Sequence, residues 1–126
     1  FITSIVIIKR SAATVNLKLK LISEIRANAI IKACDKLLLD KPQNQFPIDI
    51  FQTGSGTSTN MNVNEVLATL ANTFITDKNN LIHPNDHINM GQSSNDVIPT
   101  AIHISSLIAV EEKLIPASSE LSWEIE

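Results

Sequence analysis

Two stretches of this sequence gather short, neutral hydrogen-bonding residues while bringing little charge. FQTGSGTSTNMNVNE runs from Phe51 to Glu65, and HPNDHINMGQSSNDVIPT runs from His83 to Thr100. Each leads into an apolar pattern of helical period. The first N–H groups of a helix lack intrahelical acceptors, and the helix dipole favours negative charge there. Ser55, Thr57, Ser93, Ser94 and Asn95 add hydroxyls and an amide that can donate to carboxylate or phosphate oxygens. Gly54 and Gly56 allow a tight loop whose N–H groups approach a ligand closely. The same residue types also cap helices and form turns, and for any one of them local capping is the simpler account. Two such clusters, each opening an apolar helix, favour anion recognition by uncharged groups.

Other chemistries fit less well. GSGTST has no Lys after its second Gly, so the phosphate-loop pattern fails, and a dinucleotide fingerprint lacks its third Gly and its strand. His83 and His87 flank Asp86, but Pro84 keeps both histidines from one helical face and no further His/Cys cluster exists, so no metal is expected. His103, inside a helical run, reads as a hydrogen-bonded structural histidine. Ser93 or Ser94 as an activated nucleophile would need a base in reach, and no Ser-His-Asp order suggests one.

The elements that must position these loops are helical. Apolar residues at Phe1, Ile5, Ile8, Ala12 and Val15 predict one helix over 1–16, and Leu17 to Ile22 a link. Ser23 can cap a second helix over 24–39, with Ile25, Ala29, Ala33 and Leu37 inward. Lys41-Pro42 ends it, and PQNQFPIDI reads as extended, with FPIDIF the one strand candidate. Thr57, Ser58 and Thr59 are candidate caps for a helix to about Ile75. Its expected buried stripe is Val63, Val66, Leu67, Leu70 and Phe74, with Asn60, Asn64 and Glu65 facing elsewhere. After a polar turn over 76–80 and the irregular second stretch, VIPTAIHISSLIAVEEKLI forms a long helix with Pro99 in its first turn. That helix is apolar around most of its circumference from Val97 to Val110, so further chain or partner subunits are expected to cover it.

With 126 residues, 44% of them apolar and 18% charged, the chain has the composition of one soluble globular domain. A net charge of −3, no basic run, and only four Phe and one Trp argue against nucleic acid. The apolar opening FITSIVIIKR is too short for a membrane span and lacks the features of a secretory signal, so neither membrane nor secretion is expected. Cys34 reads as a small buried apolar side chain, and a lone thiol suits a reducing compartment, bacterial or archaeal cytoplasm or mitochondrial matrix. The chain opens without Met and stops at Glu126 within the helical pattern ELSWEIE, which reads as part of a longer protein.

FQTGSGTSTNMNVNEVLA together with HPNDHINMGQSSNDVIPTAIH resembles class II fumarate hydratase, of the fumarase/aspartase superfamily. IIKRSAATVN and AIIKACDKLL followed by QFPIDIFQTGSGT are also similar to its N-terminal region, so the resemblance weakens only after about Pro116. It implies an all-α fold: an N-terminal helical domain over 1–92 and, over 93–126, the first part of a long central-bundle helix. It implies reversible hydration of fumarate to L-malate in the tricarboxylic acid cycle, with no cofactor, by a homotetramer whose active sites are shared among subunits. Carried over, Ser55, Gly56 and Thr57 line the substrate loop, and Ser93, Ser94 and Asn95 bind substrate carboxylate. His83, Pro84, Asn85 and Asp86 match a second anion site near the entrance, although Asn85 and Asp86 serve equally well as turn formers.

The family's Gly-Arg-Thr-His segment, its Gly-Ser-Ser-x-Met-Pro-x-Lys-x-Asn loop and its opening N-terminal substrate segment are not in this sequence. The family's catalytic histidine, serine and lysine are therefore expected beyond Glu126. With no catalytic residue of its own, the chain alone is expected to be inactive. Aspartate ammonia-lyase of the same superfamily is the nearest alternative. It tends to have Ala, Asn and Ser-Thr-Asn where this sequence has Ser55, His83 and Ser93-Ser94-Asn95. A non-catalytic fragment that binds dicarboxylate or joins intact subunits is the other.

Overall fold

The computed structural model describes residues 1–40, 43–49, 51–52 and 56–125, and among these there is no β-strand. Five α-helices carry the fold: α1 Ile2–Lys18, α2 Glu24–Asp40, α3 Thr57–Asn72, α4 Ser94–Ala109 and α5 Ile115–Ile125. A π-helical turn, Val110–Leu114, joins α4 to α5 into one continuous rod. The all-α expectation holds. FPIDIF forms no strand in its described part, and the extended reading of the preceding segment gives way to a 3₁₀ turn at Gln43–Gln45.

α1 packs on α2 and α4, and α3 packs on α2 and α4, so the first three helices and the start of α4 enclose one core. Ile5, Val6, Ile30, Ala33, Cys34, Val63, Leu67 and Val97 are at its centre. The buried face of α1 differs from the expected stripe. Ile5 is buried, but Phe1 and Val15 are exposed, and the inward positions are Ser4, Val6, Lys9, Ala13 and Asn16. Counting only apolar residues turned the stripe by about one position, because three polar side chains, Ser4, Lys9 and Asn16, occupy core sites. On α2, Ala29, Ala33 and Leu37 are inward as expected, joined by Ala27, Ile30 and Cys34, whereas Ile25 is 57% exposed. Ser23 Oγ accepts from Arg26 N at 3.5 Å, in the expected cap position.

α3 corrects the sequence reading most. Asn60 and Asn64 were expected on the outer face and are fully buried, and Phe74 is 43% exposed. Asn60, Val63, Asn64, Leu67 and Ala71 recur at three- and four-residue spacing, so they share one helical face. The two asparagines are tolerated there because each side chain donates to Asn89. At the far end of α3, Asn72 both donates to Ile82 O at 3.0 Å and accepts from Ile82 N at 2.8 Å, as a neighbouring strand would.

The chain between α3 and α4 is thereby held at both ends. Asn72 fixes it at Ile82, while Lys9, Asn60 and Asn64 hold Asn89, and Asn16 donates to Met90 O at 3.1 Å. Beyond Ala101 no described residue of the rod is buried. Ile102, Leu107, Leu114, Ile115 and Leu121 all lie open, in keeping with the uncovered apolar surface expected for this helix. His103 is exposed on that surface rather than enclosed as a structural histidine, because the rod has already left the core. Pro99 occupies the sixth position of α4, in its second turn rather than its first.

Candidate functional site

The two polar stretches meet where α3 and α4 begin. Gly56 precedes α3 at φ +70°, and a Cβ at that position would lie 3.1 Å from Ile98 Cδ1 on α4. The left-handed conformation suits glycine, and the missing side chain lets one helix start rest directly on the other helix. One turn into α3, Asn60 Nδ2 donates to Ser94 Oγ at 2.9 Å. Of the substrate-loop residues, Gly56 thus rests on α4 at Ile98 and Thr57 opens α3, while Ser55, like the neighbouring Gly54, lies outside the described residues. Glu126, the residue after which the family's catalytic histidine, serine and lysine are expected, also lies outside the described residues.

None of Thr57, Ser58 and Thr59 caps α3. They form its first turn, and Gly56 stands at the cap position without a side-chain bond. Gln52 takes over part of that role: its Oε1 accepts from Thr59 N at 3.3 Å and its Nε2 donates to Thr59 Oγ1 at 2.6 Å. Thr57 is exposed in the first turn of α3. At α4, Ser93 is the cap residue, and its Oγ accepts from Asn95 N at 3.3 Å. A serine hydroxyl that accepts in this way still has its own hydrogen to donate. Ser94 is half-buried, and Asn95 is exposed with interactions of its own.

His83, Pro84, Asn85 and Asp86 form a second group, organised as a π-helical turn over Pro84–Ile88. His83 is its cap residue: Nδ1 accepts from Asp86 N at 3.3 Å and stands 3.3 Å from Asp86 Oδ2. His87 Nδ1 in turn accepts from His83 N at 2.8 Å. Burial, with Arg26 nearby, lowers the His87 pKa and favours the neutral ring that this acceptor role requires. Among the described residues no group of three or more His, Cys, Asp or Glu could hold a metal ion.

The largest omission in the sequence reading lies directly beneath the site. Lys9 is fully buried, and Nζ donates to Asn89 Oδ1 at 2.9 Å. Burial lowers its pKa to about 8. The signal for it was its place four residues after Ile5 and four before Ala13, on the inward face of α1.

A family model described as a lyase matches residues 2–126. The chain belongs to this lyase family. Among relatives of known name, it is 44% identical to the class II fumarate hydratase of Halobacterium salinarum over 100% of its own length and 27% of that relative's. It is 52% identical to the class II fumarate hydratase of Wigglesworthia glossinidia brevipalpis, across 91% of this chain and 25% of the other. The crystal structure of class II fumarase from Schistosoma mansoni superposes with a TM-score of 0.85 at 46% identity, covering 90% of this chain and 24% of that one. A fumarate lyase:delta crystallin structure from Brucella melitensis superposes with a TM-score of 0.81 at 41% identity, covering 87% of this chain and 26% of the other. The lyase segment described here therefore spans about a quarter of the length of the relatives it matches. No described helix is long and apolar enough to cross a membrane.

Proposed function

We propose that this chain contributes the carboxylate-binding loops of a fumarate hydratase, which adds water across the double bond of fumarate to give L-malate. The observation that carries this reading is the joining of the two helix starts, Gly56 against Ile98 and Asn60 to Ser94. Such a meeting of helix starts is suited to gathering uncharged donors around one small anion, and the named relatives favour hydration over ammonia elimination.

The chemical task is to make a carbon acid beside a carboxylate acidic enough for a weak base. As the proton leaves, negative charge spreads onto that carboxylate. Donors already aimed at its oxygens stabilise the charge without reorganising. In this reading Ser55, Gly56 and Thr57 hold one end of the diacid, while Ser93, Ser94 and Asn95 hold the carboxylate that gains charge. Peptide N–H groups and helix dipoles at the starts of α3 and α4 add to the same field. His83 to Asp86 serve as a separate anion site at the approach. In this reading the chain's residues bind and orient, and the groups that move the proton and the water are supplied by other parts of the enzyme.

The same reading divides the chain into a helical domain over 1–92 and the start of a central bundle helix over 93–126. It assigns the open apolar face of the rod to contacts within a homotetramer, and it locates the enzyme in cytoplasm or mitochondrial matrix. No cofactor is required. The test is the loss of fumarate absorbance. The complete protein carrying this segment should hydrate fumarate and the 126-residue chain alone should not. A complete protein that leaves fumarate untouched, or a chain that turns it over unaided, refutes the reading.

A further inference from the structure

A buried cation directs the hydrogen bonds beneath the proposed site. Lys9 is 0% exposed, and among the described residues it forms no ion pair. Burying an ammonium without a carboxylate is costly, so a helix face gains nothing in stability from placing one there. Lys9 Nζ donates to Asn89 Oδ1 at 2.9 Å. At neutral pH the ammonium keeps its proton even with its pKa lowered to about 8. It can then only donate.

That restriction propagates. With its oxygen held by Lys9, Asn89 turns its amide nitrogen to Gln92 O at 3.1 Å. The same oxygen then requires a nitrogen from Asn60, found at 3.1 Å. The second hydrogen of that amide group points at Ser94 Oγ at 2.9 Å. The opposite orientation of Asn60 would set oxygen against oxygen at Asn89. Asn60 Oδ1 is accordingly left buried without a hydrogen-bond partner. Ser94 Oγ is thereby an acceptor on its inner side, and its own hydrogen is left to point outward.

We propose that Lys9 is a positioning residue: through Asn89 and Asn60 it forces the Ser94 hydroxyl to donate outward, toward the carboxylate of the diacid bound at the helix starts. This inference rests on the fumarate hydratase reading and names a residue that touches no substrate. An outward donor binds an anion, whereas a hydroxyl turned inward would present lone pairs to it and repel it.

The test is a double-mutant cycle in the complete enzyme, with fumarate hydration as the readout. Lys9→Met keeps the length of the side chain and removes the donor. Lys9→Met and Ser94→Ala should each lower kcat/KM by about tenfold or more, as expected for one lost hydrogen bond to a charged group. The double variant should be no worse than Ser94→Ala alone. A purely structural lysine would instead give losses that multiply, and that result overturns the proposal while leaving the function intact. Should Lys9→Met fail to fold, Asn60→Asp replaces it in the cycle. That carboxylate puts an oxygen where Asn60 Nδ2 now donates to Ser94 Oγ, so Ser94 must donate inward to it; the variant should match the loss of Ser94→Ala and add nothing to it, and multiplying losses overturn the proposal here too. Absence of hydration in the unaltered enzyme removes the functional reading, and this inference falls with it.

Discussion

Gly56 lies against Ile98 so closely that a Cβ on the glycine would meet three Ile98 side-chain carbons, at 3.1, 3.2 and 3.3 Å. The contact sets the distance between the starts of α3 and α4, and hence between the two polar clusters. Gly56→Ala should destabilise the fold by about 1–2 kcal/mol, since its φ of +70° disfavours any side chain. It should also depress fumarate turnover. Adding Ile98→Ala should relieve the crowding but not the backbone cost. Chemical unfolding of the single and double variants measures both, and an unaltered midpoint in Gly56→Ala would refute the close packing.

For the complete protein, Thr57→Val and Asn95→Ala should each remove roughly 3–4 kcal/mol of transition-state stabilisation, the scale of one oxyanion-hole donor. Steady-state hydration kinetics provide the check. Near-normal rates in both variants would take these residues out of the site.

His83→Asn should keep the turn and spare catalysis. Asparagine is a favoured cap residue, and its side-chain oxygen can accept from Asp86 N as His83 Nδ1 does. Turnover near the unaltered rate, with weakened binding of a second dicarboxylate in calorimetry, is the expected pair of results. A collapse in turnover would place His83 in the catalytic site instead.

Stability should depend on pH through two buried groups on facing helices. Lys9 is lowered from 10.5 to about 8 by burial, so above pH 8 the unfolded chain holds more protons at this position, and stability rises with pH. Cys34, across from it on α2, is raised by burial to about 12, so above the usual thiol value of 9 the unfolded chain holds fewer protons and stability falls. The asparagines that α3 and the 83–93 segment turn toward Lys9 are neutral. On α2, Asp35 next to Cys34 is paired with Arg10 of α1. Between pH 8 and 9 the protein should gain on the order of 1 kcal/mol, a gain that Lys9→Met abolishes. Urea unfolding at closely spaced pH values checks the window, and a flat profile in the unaltered protein would contradict the burial of Lys9.

Cys34 should also resist modification. Only the thiolate attacks an aromatic disulfide reagent, and this thiol is both enclosed and held protonated. At pH 8 the native protein should release no colour, and the urea-unfolded protein should release one equivalent. Rapid reaction before unfolding would show that α1 and α2 open readily.

Sequence by itself determined the helices, the clustering of neutral donors at two helix starts, the open apolar rod and the inert cysteine. Helical period and the caps at Ser23 and Ser93 are local, and local spacing is enough to read them, whereas the start of α3 falls to Gly56 and Gln52 rather than to Thr57, Ser58 or Thr59. Tertiary structure alone decided which polar residues face inward. Lys9, Asn16, Asn60 and Asn64 look solvated in one dimension, because a polar residue among apolar ones is ordinarily assigned to the outer face. They are buried because side chains and backbone carbonyls far along the chain accept their hydrogens: Asn89 stands 80 residues from Lys9 and 29 from Asn60. Whether a polar group can be buried depends on whether it finds such a partner, and the fold supplies that partner where sequence spacing gives no sign of it.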